Sequence, residues 1–349
     1  MHALPAQKCG TPHFFFALLT IALLSFFFSV PAAAASQKLV IALPGPGNLI
    51  YLPVELAKQI GADRAENCEL EIRYFGGGPQ AIRDMLDGNS DFSASGLPAL
   101  AEQKAAGLPV RSISALTRVP GYALMVRNSY KSKIRKVADL RGHVIGVKGH
   151  TKGGRAASQM VAEYLLARAG LAQDSVNFIA AGQSYEDQLA ALQSGAVDAL
   201  VADEPFASRF QKQGIAYKLV DLLDLKAVRK QMGGLFLNAQ VSTRDDVIVE
   251  HADKVEKMAR IMRRTLQWIK HHSAGQIAGV MGYDDAQERI ALANALSRHK
   301  DIYTPDGAFS SLQVKTTERF FHQVQTGSSA SAYLRFRDLI DARWAGETR

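Results

Sequence analysis

Apolar runs of strand length alternate with stretches of helical periodicity through the first two-thirds of the chain. KLVIALP (Lys38 to Pro44), ELEIRYF (Glu69 to Phe75), VRSISALT (Val110 to Thr117) and HVIGV (His143 to Val147) read as strands. Helices are predicted over Leu49 to Ile60, Gln80 to Leu86 and Arg155 to Ala169. The last carries Ala157, Met160, Val161, Tyr164 and Leu165 on one face and stops at Gly170. This alternation predicts α/β layers with mostly parallel strands. After about Met232 the pattern becomes helical. His251 to His271 places Val255, Met258, Ala259, Met262, Leu266 and Ile269 on one face, with further helices near Ala286 to Arg298, Phe309 to Gln325 and Ala332 to Trp344. These read as helices completing or covering the first lobe, with the two methionines in its core.

Two segments of the chain repeat each other. AIRDMLDGNSDFSASGLPALAEQKAAG and QLAALQSGAVDALVADEPFASRFQKQG align at a constant offset of 107 residues, which brings Gly88 onto Gly195, Asp91 onto Asp198, Pro98 onto Pro205 and Gly107 onto Gly214. Each copy reads as a helix, a Gly turn, a short strand opened by Asp, and a loop entering a helix started by Pro, where that residue is tolerated. Two similar α/β lobes follow. Ligands bind in open sheets of this kind at the carboxyl ends of the strands, so the fold expected is two doubly wound lobes around a cleft.

The N-terminus has a different character. After a short basic start, Phe14 to Val30 is almost unbroken apolar sequence, followed by Pro31 and four alanines. That is the layout of a cleavable secretory signal over residues 1–35, cut near Ala34 to Ser36. Its removal leaves Cys68 as the one cysteine, which excludes a disulfide scaffold and a thiolate zinc cluster and suits a bacterial periplasm. Of 349 residues, 47% are hydrophobic and 21% charged, with Lys and Arg at 41 against 33 acids. The composition excludes a disordered chain. The basic residues are scattered without aromatic interleaving, so nucleic acid is not expected as a partner, and Arg260, Arg263 and Arg264 read as a solvated helix face.

Catalytic spacings are missing. The chain has no G-x-S-x-G elbow, H-E-x-x-H, Walker A run or G-x-G-x-x-G loop. His271 and His272 are adjacent, so on a helix they cannot share a metal face. No catalytic residue, metal or cofactor is expected. Asp203 and Glu204 precede Pro205 at a predicted helix start, where they read as stabilising the helix dipole, as ligand contacts, or as an acid-base pair. What remains is a set of Gly-rich loops from strand to helix: GPGN (Gly45 to Asn48), GGGP (Gly76 to Pro79), SGLP (Ser95 to Pro98), KGHTKGG (Lys148 to Gly154) and GQS (Gly182 to Ser184). Glycine lets backbone N–H groups approach a ligand, and a helix N-terminus favours an anionic or oxygen-rich group there.

GYALMVRNSYKSKIRKVADLRGHVIGV with its Gly-rich turn and AASQMVAEYLLARAGL, then QLAALQSGAVDALVADEPFASR and YTPDG (Tyr303 to Gly307), resembles the nitrate/sulfonate/taurine-type substrate-binding proteins of ABC importers. The resemblance implies a periplasmic binding protein fold of type II, with lobe 1 at 36–118, lobe 2 at 119–222, and 223–349 returning to lobe 1 with C-terminal helices. Chain crossings are expected near Thr117 to Leu124 and Tyr217 to Leu223. The family's ligand loops map onto Gly47 and Asn48, Gly77 and Gly78, Ser95 and Gly96, Thr117, the turn Thr151, Lys152, Gly153 and Gly154, and Asp203 with Glu204. The implied role is a periplasmic monomer that captures a small solute and delivers it to a membrane permease and its ATPase. Lys152, His150 and Arg118 suggest an anionic solute, sulfonate- or carboxylate-like, and the Asp203–Glu204 pair suggests that an amine is read as well. The chain departs from the family at His150–Gly154, where a Gly-Ser pair is common. The same fold serves sensor proteins and a thiamine-precursor synthase, whose Cys-rich motif is missing here.

Overall fold

Strand β1 (Gln37–Pro44) alternates little between apolar and polar because both its faces are covered; Leu39, Ile41, Ala42 and Leu43 are all buried. The computed structural model describes residues 1–4, 36–148, 150–151, 154–325 and 333–348. The expected leader and its cut near Ala34 lie outside these from residue 5 onward. After β1 come α1 (Leu52–Gln59), β2 (Cys68–Phe75), α2 (Gly78–Leu86), β3 (Phe92–Gly96), α3 (Leu97–Ala105) and β4 (Val110–Ala115). The chain then enters a second sheet through β5 (Tyr122–Arg127) and β6 (Val144–Val147). A two-residue hairpin, β7 (His150–Thr151) with β8 (Gly154–Arg155), leads to α4 (Ala157–Arg168), β9 (Asn177–Ala180), α5 (Tyr185–Ser194), β10 (Ala199–Asp203), α6 (Phe206–Lys212), β11 (Ala216–Asp221) and α7 (Leu225–Met232). Strand β12 (Ala239–Arg244) returns to the first sheet. The helices α8 (Asp245–Glu250), α9 (Ala252–His271), α10 (Ala274–Met281), α11 (Ala286–His299) and α12 (Ser311–Val324) follow.

The two sheets have one plan. The first is ordered β2-β1-β3-β12-β4, with β12 antiparallel to both neighbours; the second, read from the other edge, is β9-β6-β10-β5-β11, with β5 antiparallel to both of its neighbours. The 107-residue offset carries β3 onto β10 residue for residue. Gly88 and Gly195 have φ of +80° and +82°, a left-handed turn that side chains with a Cβ resist. The repeated aspartates perform one task twice. Asp91 accepts the Val40 N–H at 2.9 Å and Asp198 accepts the Val144 N–H at 3.1 Å, each stitching the third strand of its sheet to the second.

Asp198 also takes Arg127 Nη2 at 3.1 Å and faces His143 Nδ1 at 3.0 Å. Burial works to raise its carboxyl, but the bonds from Val144 and His143 outweigh that and hold it below the usual carboxylate range. Asp198→Ala is therefore expected to cost about 2 kcal/mol in urea unfolding at pH 7. A depressed carboxyl stabilises above its unfolded pKa and loses that contribution on acidification, so the difference between variant and parent should shrink as pH falls through the carboxylate range.

Several expectations change. Helix α4 is buried on every side, Ser158, Gln159 and Glu163 included, because it lies between the second sheet and helices α3 and α12. It begins at Ala157 rather than Arg155, whose guanidinium is tied to Glu102 Oε1 at 2.7 Å and Glu163 Oε2 at 2.6 Å. Tyr217 to Leu223 falls largely within β11, and the return crossing comes later: Phe236 N–H bonds the Arg118 carbonyl and Leu116 N–H the Ala239 carbonyl, so the two crossings run side by side. In place of the last predicted helix, Leu334 to Trp344 contains a 3-10 turn at Phe336–Asp338, pinned by buried Phe336 and Leu339. Arg260 and Arg264 bond Glu66 at 2.7 and 3.3 Å, and Arg263 bonds the Trp344 carbonyl, so this face fastens α9 to the first lobe instead of standing in solvent. Met258 and Met262 are core residues. Cys68 is buried, which pushes its thiol up and away from reactivity.

Candidate functional site

Parallel strands β1 and β3 of one lobe and β6 and β10 of the other end at a shared cleft, each giving way to a turn and then a helix. Ser, Asp and Asn are preferred at helix starts because their side chains can take one of the unpaired N–H groups of the first turn, as in α5, α7, α10 and α11 of this chain. Here α2 starts on Gly77, α3 on Gly96 and α4 on Ala156, and none of the three has a side-chain cap. Gly78, Gly96 and Ala156 to Ser158 line one cavity of about 20 Å³ between the lobes. Glycine and alanine put no side chain over these turns and allow close approach, although the Leu97 N–H is given to the Asn238 carbonyl and Pro79 and Pro98 have none to offer; a Cβ built on Gly96 would lie 2.5 Å from the Cβ of Ala157 across the cleft.

The polar side chains of this cavity come from both lobes. Lys148, directly after β6, forms an ion pair with Asp203 at the end of β10; Asp203 is fully buried and Lys148 nearly so. Burial pushes the Asp203 carboxyl up, and Lys148 opposes it. Asp203 Oδ1 has no partner. Asp203 lies behind the cavity wall; the polar side chains that line the space with Lys148 are Tyr51, Tyr122, Asn48, Ser158 and Gln183, and burial raises both tyrosine hydroxyls. Glu204 points elsewhere: its carboxylate accepts Lys218 Nζ at 2.9 Å and Ser208 Oγ at 2.7 Å. Its carbonyl accepts the Leu49 N–H at 3.0 Å, one of the bonds that joins the lobes.

Of the residues expected from the sequence, Asn48, Gly78 and Gly96 line the cavity, and Gly77 caps α2 beside the Lys148 carbonyl. Asn48 Oδ1 accepts the Ile50 N–H and so holds its own turn. Gly47 lies in a neighbouring cavity, its N–H given to Glu55 at 3.1 Å. Ser95 is buried in the first sheet, where its Oγ accepts Gln240 Nε2 at 3.0 Å. Thr117 and Arg118 are not brought to the cleft. Thr117 Oγ1 accepts the Ala239 N–H at 3.0 Å and Arg118 Nε donates to the Asp301 carbonyl at 2.8 Å, so both fasten the crossing between the lobes. Thr151 and Gly154 pair across the β7–β8 hairpin. Lys152 and Gly153 lie outside the described residues.

Lys148, Tyr51, Tyr122 and Gln183 were not among the expected site residues. Lys148 and Gln183 do stand in two of the Gly-rich loops, and that is the one signal the sequence offered. Among the described residues no group of three His, Cys, Asp or Glu side chains is placed to hold a metal ion.

Comparison with known proteins agrees with this geometry. YtlA of Bacillus subtilis (strain 168), whose name marks it as a candidate binding protein, is 23% identical over 265 residues, covering 74% of this chain and 75% of its own. Among solved structures, a Bordetella bronchiseptica RB50 protein superposes with a TM-score of 0.79 at 22% identity, over 88% of this chain and 96% of that one. The alkanesulfonate-binding protein SsuA from Xanthomonas axonopodis pv. citri, bound to MOPS, gives 0.63 at 19% identity over 88% and 99%. At these identities the superpositions show a shared periplasmic binding protein-like fold. The NMT1/THI5-like family model matches residues 52–275, well over half of the chain. With its two lobes and the cleft between them, the chain belongs to the NMT1/THI5-like family.

Proposed function

We propose that this protein is the periplasmic solute-capturing component of an ABC importer, exported by its N-terminal leader and acting as a monomer without chemical turnover. One observation carries the reading: three uncapped helix N-termini, two from one lobe and one from the other, converge with Lys148 on an interlobe cavity. Such a constellation suits an oxygen-rich or anionic end of a small solute, because the N–H groups and the positive helix ends need no side-chain rearrangement to receive it. Hinge closure around the ligand gives a permease something to distinguish, since ligand shifts the lobes only by its better contacts in the closed state. SsuA from Xanthomonas binds an alkanesulfonate by name, which supports an acidic solute here.

The test is thermal unfolding of the purified protein against matched sulfonates, carboxylates and their neutral amides. A true ligand at about 100 times its dissociation constant adds roughly 2.7 kcal/mol, so acidic members should raise the melting temperature by several degrees and amides should not. Binding should weaken about ten-fold in Lys152→Ala and about 100-fold in Gly154→Asp if the turn Thr151 to Gly154 also receives the acid. Recovery of a chemically altered ligand would replace the binder with an enzyme.

A further inference from the structure

Beside the central cavity is a larger one of about 420 Å³, also walled by both lobes. Gln183 lines both, its Nε2 donating to the Gly76 carbonyl at 2.9 Å. Phe206 connects them as well, since Lys148 Nζ stands over its ring at 5.6 Å while the ring lines the larger space. The walls are aromatic. Tyr185 is already sandwiched between the stacked ring of Phe210 at 4.9 Å and the Arg209 guanidinium at 3.5 Å. Tyr74, Phe75, Tyr283 and Phe206 remain. Tyr74 is 46% exposed even though its hydroxyl is fixed to the buried Glu55 carboxylate at 3.0 Å, so a ring is held still with area uncovered.

A space of about 20 Å³ holds little more than one water, whereas about 420 Å³ lies within the range of organic ligands. We propose that the larger cavity is a ring-binding subsite, holding an uncharged aromatic group of the same solute whose polar end meets the helix N-termini. Fixed aromatic walls favour a flat ring through offset or edge contacts. Glu186, Asp187 and Glu288 at the rim outnumber Arg209, which turns away a second acidic group. The inference rests on the importer reading of the cleft, and its test separates the two.

Three probes are compared by titration and by saturation-transfer NMR: methanesulfonate (acid without ring), benzyl alcohol (ring without acid) and phenylmethanesulfonate (both). They are applied to the parent protein and to two variants. Tyr283→Ala removes a wall whose backbone carbonyl, held by Arg289, is untouched, and Ala291→Trp fills the space from α11. The expected result is transfer to the benzyl alcohol ring in the parent that is lost in both variants. Phenylmethanesulfonate should also bind about ten-fold tighter than methanesulfonate in the parent, an advantage the variants lose. Ring transfer that is missing in the parent, or unchanged in both variants, overturns the subsite whichever sulfonate binds. Ring transfer that is lost in the variants while methanesulfonate fails to bind keeps the subsite and overturns the acidic head group.

Discussion

Lys148→Ala should lower the unfolding free energy by about 3–5 kcal/mol at pH 7, read as a lower urea midpoint with an unchanged slope. The reason is what the substitution leaves behind. Asp203 is completely buried, its Oδ1 already has no partner, and Lys148 is the cation that opposes its desolvation. Without the lysine the carboxylate must either stay charged in an apolar surrounding or take up a proton. A carboxyl raised in the folded state contributes stability that is complete below its unfolded pKa and is lost as pH rises through its folded pKa. The deficit should therefore be small near pH 4 and grow toward neutrality. Lys148→Met with Asp203→Val should recover most of the stability, since replacing both members of a buried pair is often neutral. The double variant should still bind poorly, because Lys148 lines the cavity. Recovered binding in the double variant would remove Lys148 from the site.

Gly96→Ala is expected to weaken ligand binding about 100-fold while leaving the unliganded protein close to its original stability. Gly96 has φ −71° and ψ 130°, which any residue adopts, so the backbone does not resist the change. The obstacle is the other lobe. The new Cβ would sit 2.5 Å from the Ala157 Cβ of that lobe, too close for the two helix starts to come together, and 3.0 Å from Asn238 Oδ1 of its own lobe, the end of a side chain that has only a few tenths of an ångström to give. A protein that cannot close keeps the contacts of one lobe only, and a 100-fold loss corresponds to about 2.7 kcal/mol of closed-state advantage. Adding Ala157→Gly removes the facing Cβ and should restore binding to within about ten-fold. Small-angle scattering checks the mechanism: with ligand, the parent and the double variant should contract and Gly96→Ala should not.

The lobes were legible in the sequence because their signals are local. Gly88 and Gly195 mark left-handed turns, and Asp91 and Asp198 open strands whose neighbours they then hold, so a spacing in the chain reports a bond in space. The same locality located the Gly-rich loops, and with them Asn48, Gly78 and Gly96. It failed for Tyr51 and Tyr122, which are ordinary apolar positions until a turn of the first lobe and a strand of the second bring them to Asp203. Thr117 and Arg118 show the converse. They lie at a crossing where a ligand loop was expected, but the return of the chain at Ala239 supplies bonds that no local pattern foretells. Helix α4 was read as one-faced because Glu163 and Gln159 look like solvent positions, whereas Arg155 pairs with Glu163 and lets that side be covered as well.

Strand β12 lies between β3 and β4, yet it reaches the first sheet only after about 120 further residues have passed through the second. A polypeptide that emerges from its N-terminus first therefore presents four strands of a sheet with a gap between β3 and β4. Its early half cannot settle into a stable body by itself, because the ladder that would join β3 to β4 belongs to a segment not yet available, and long-range pairings of this kind form late. The first sheet can close only once about 70% of the chain has appeared, so its order of synthesis and its order of folding differ.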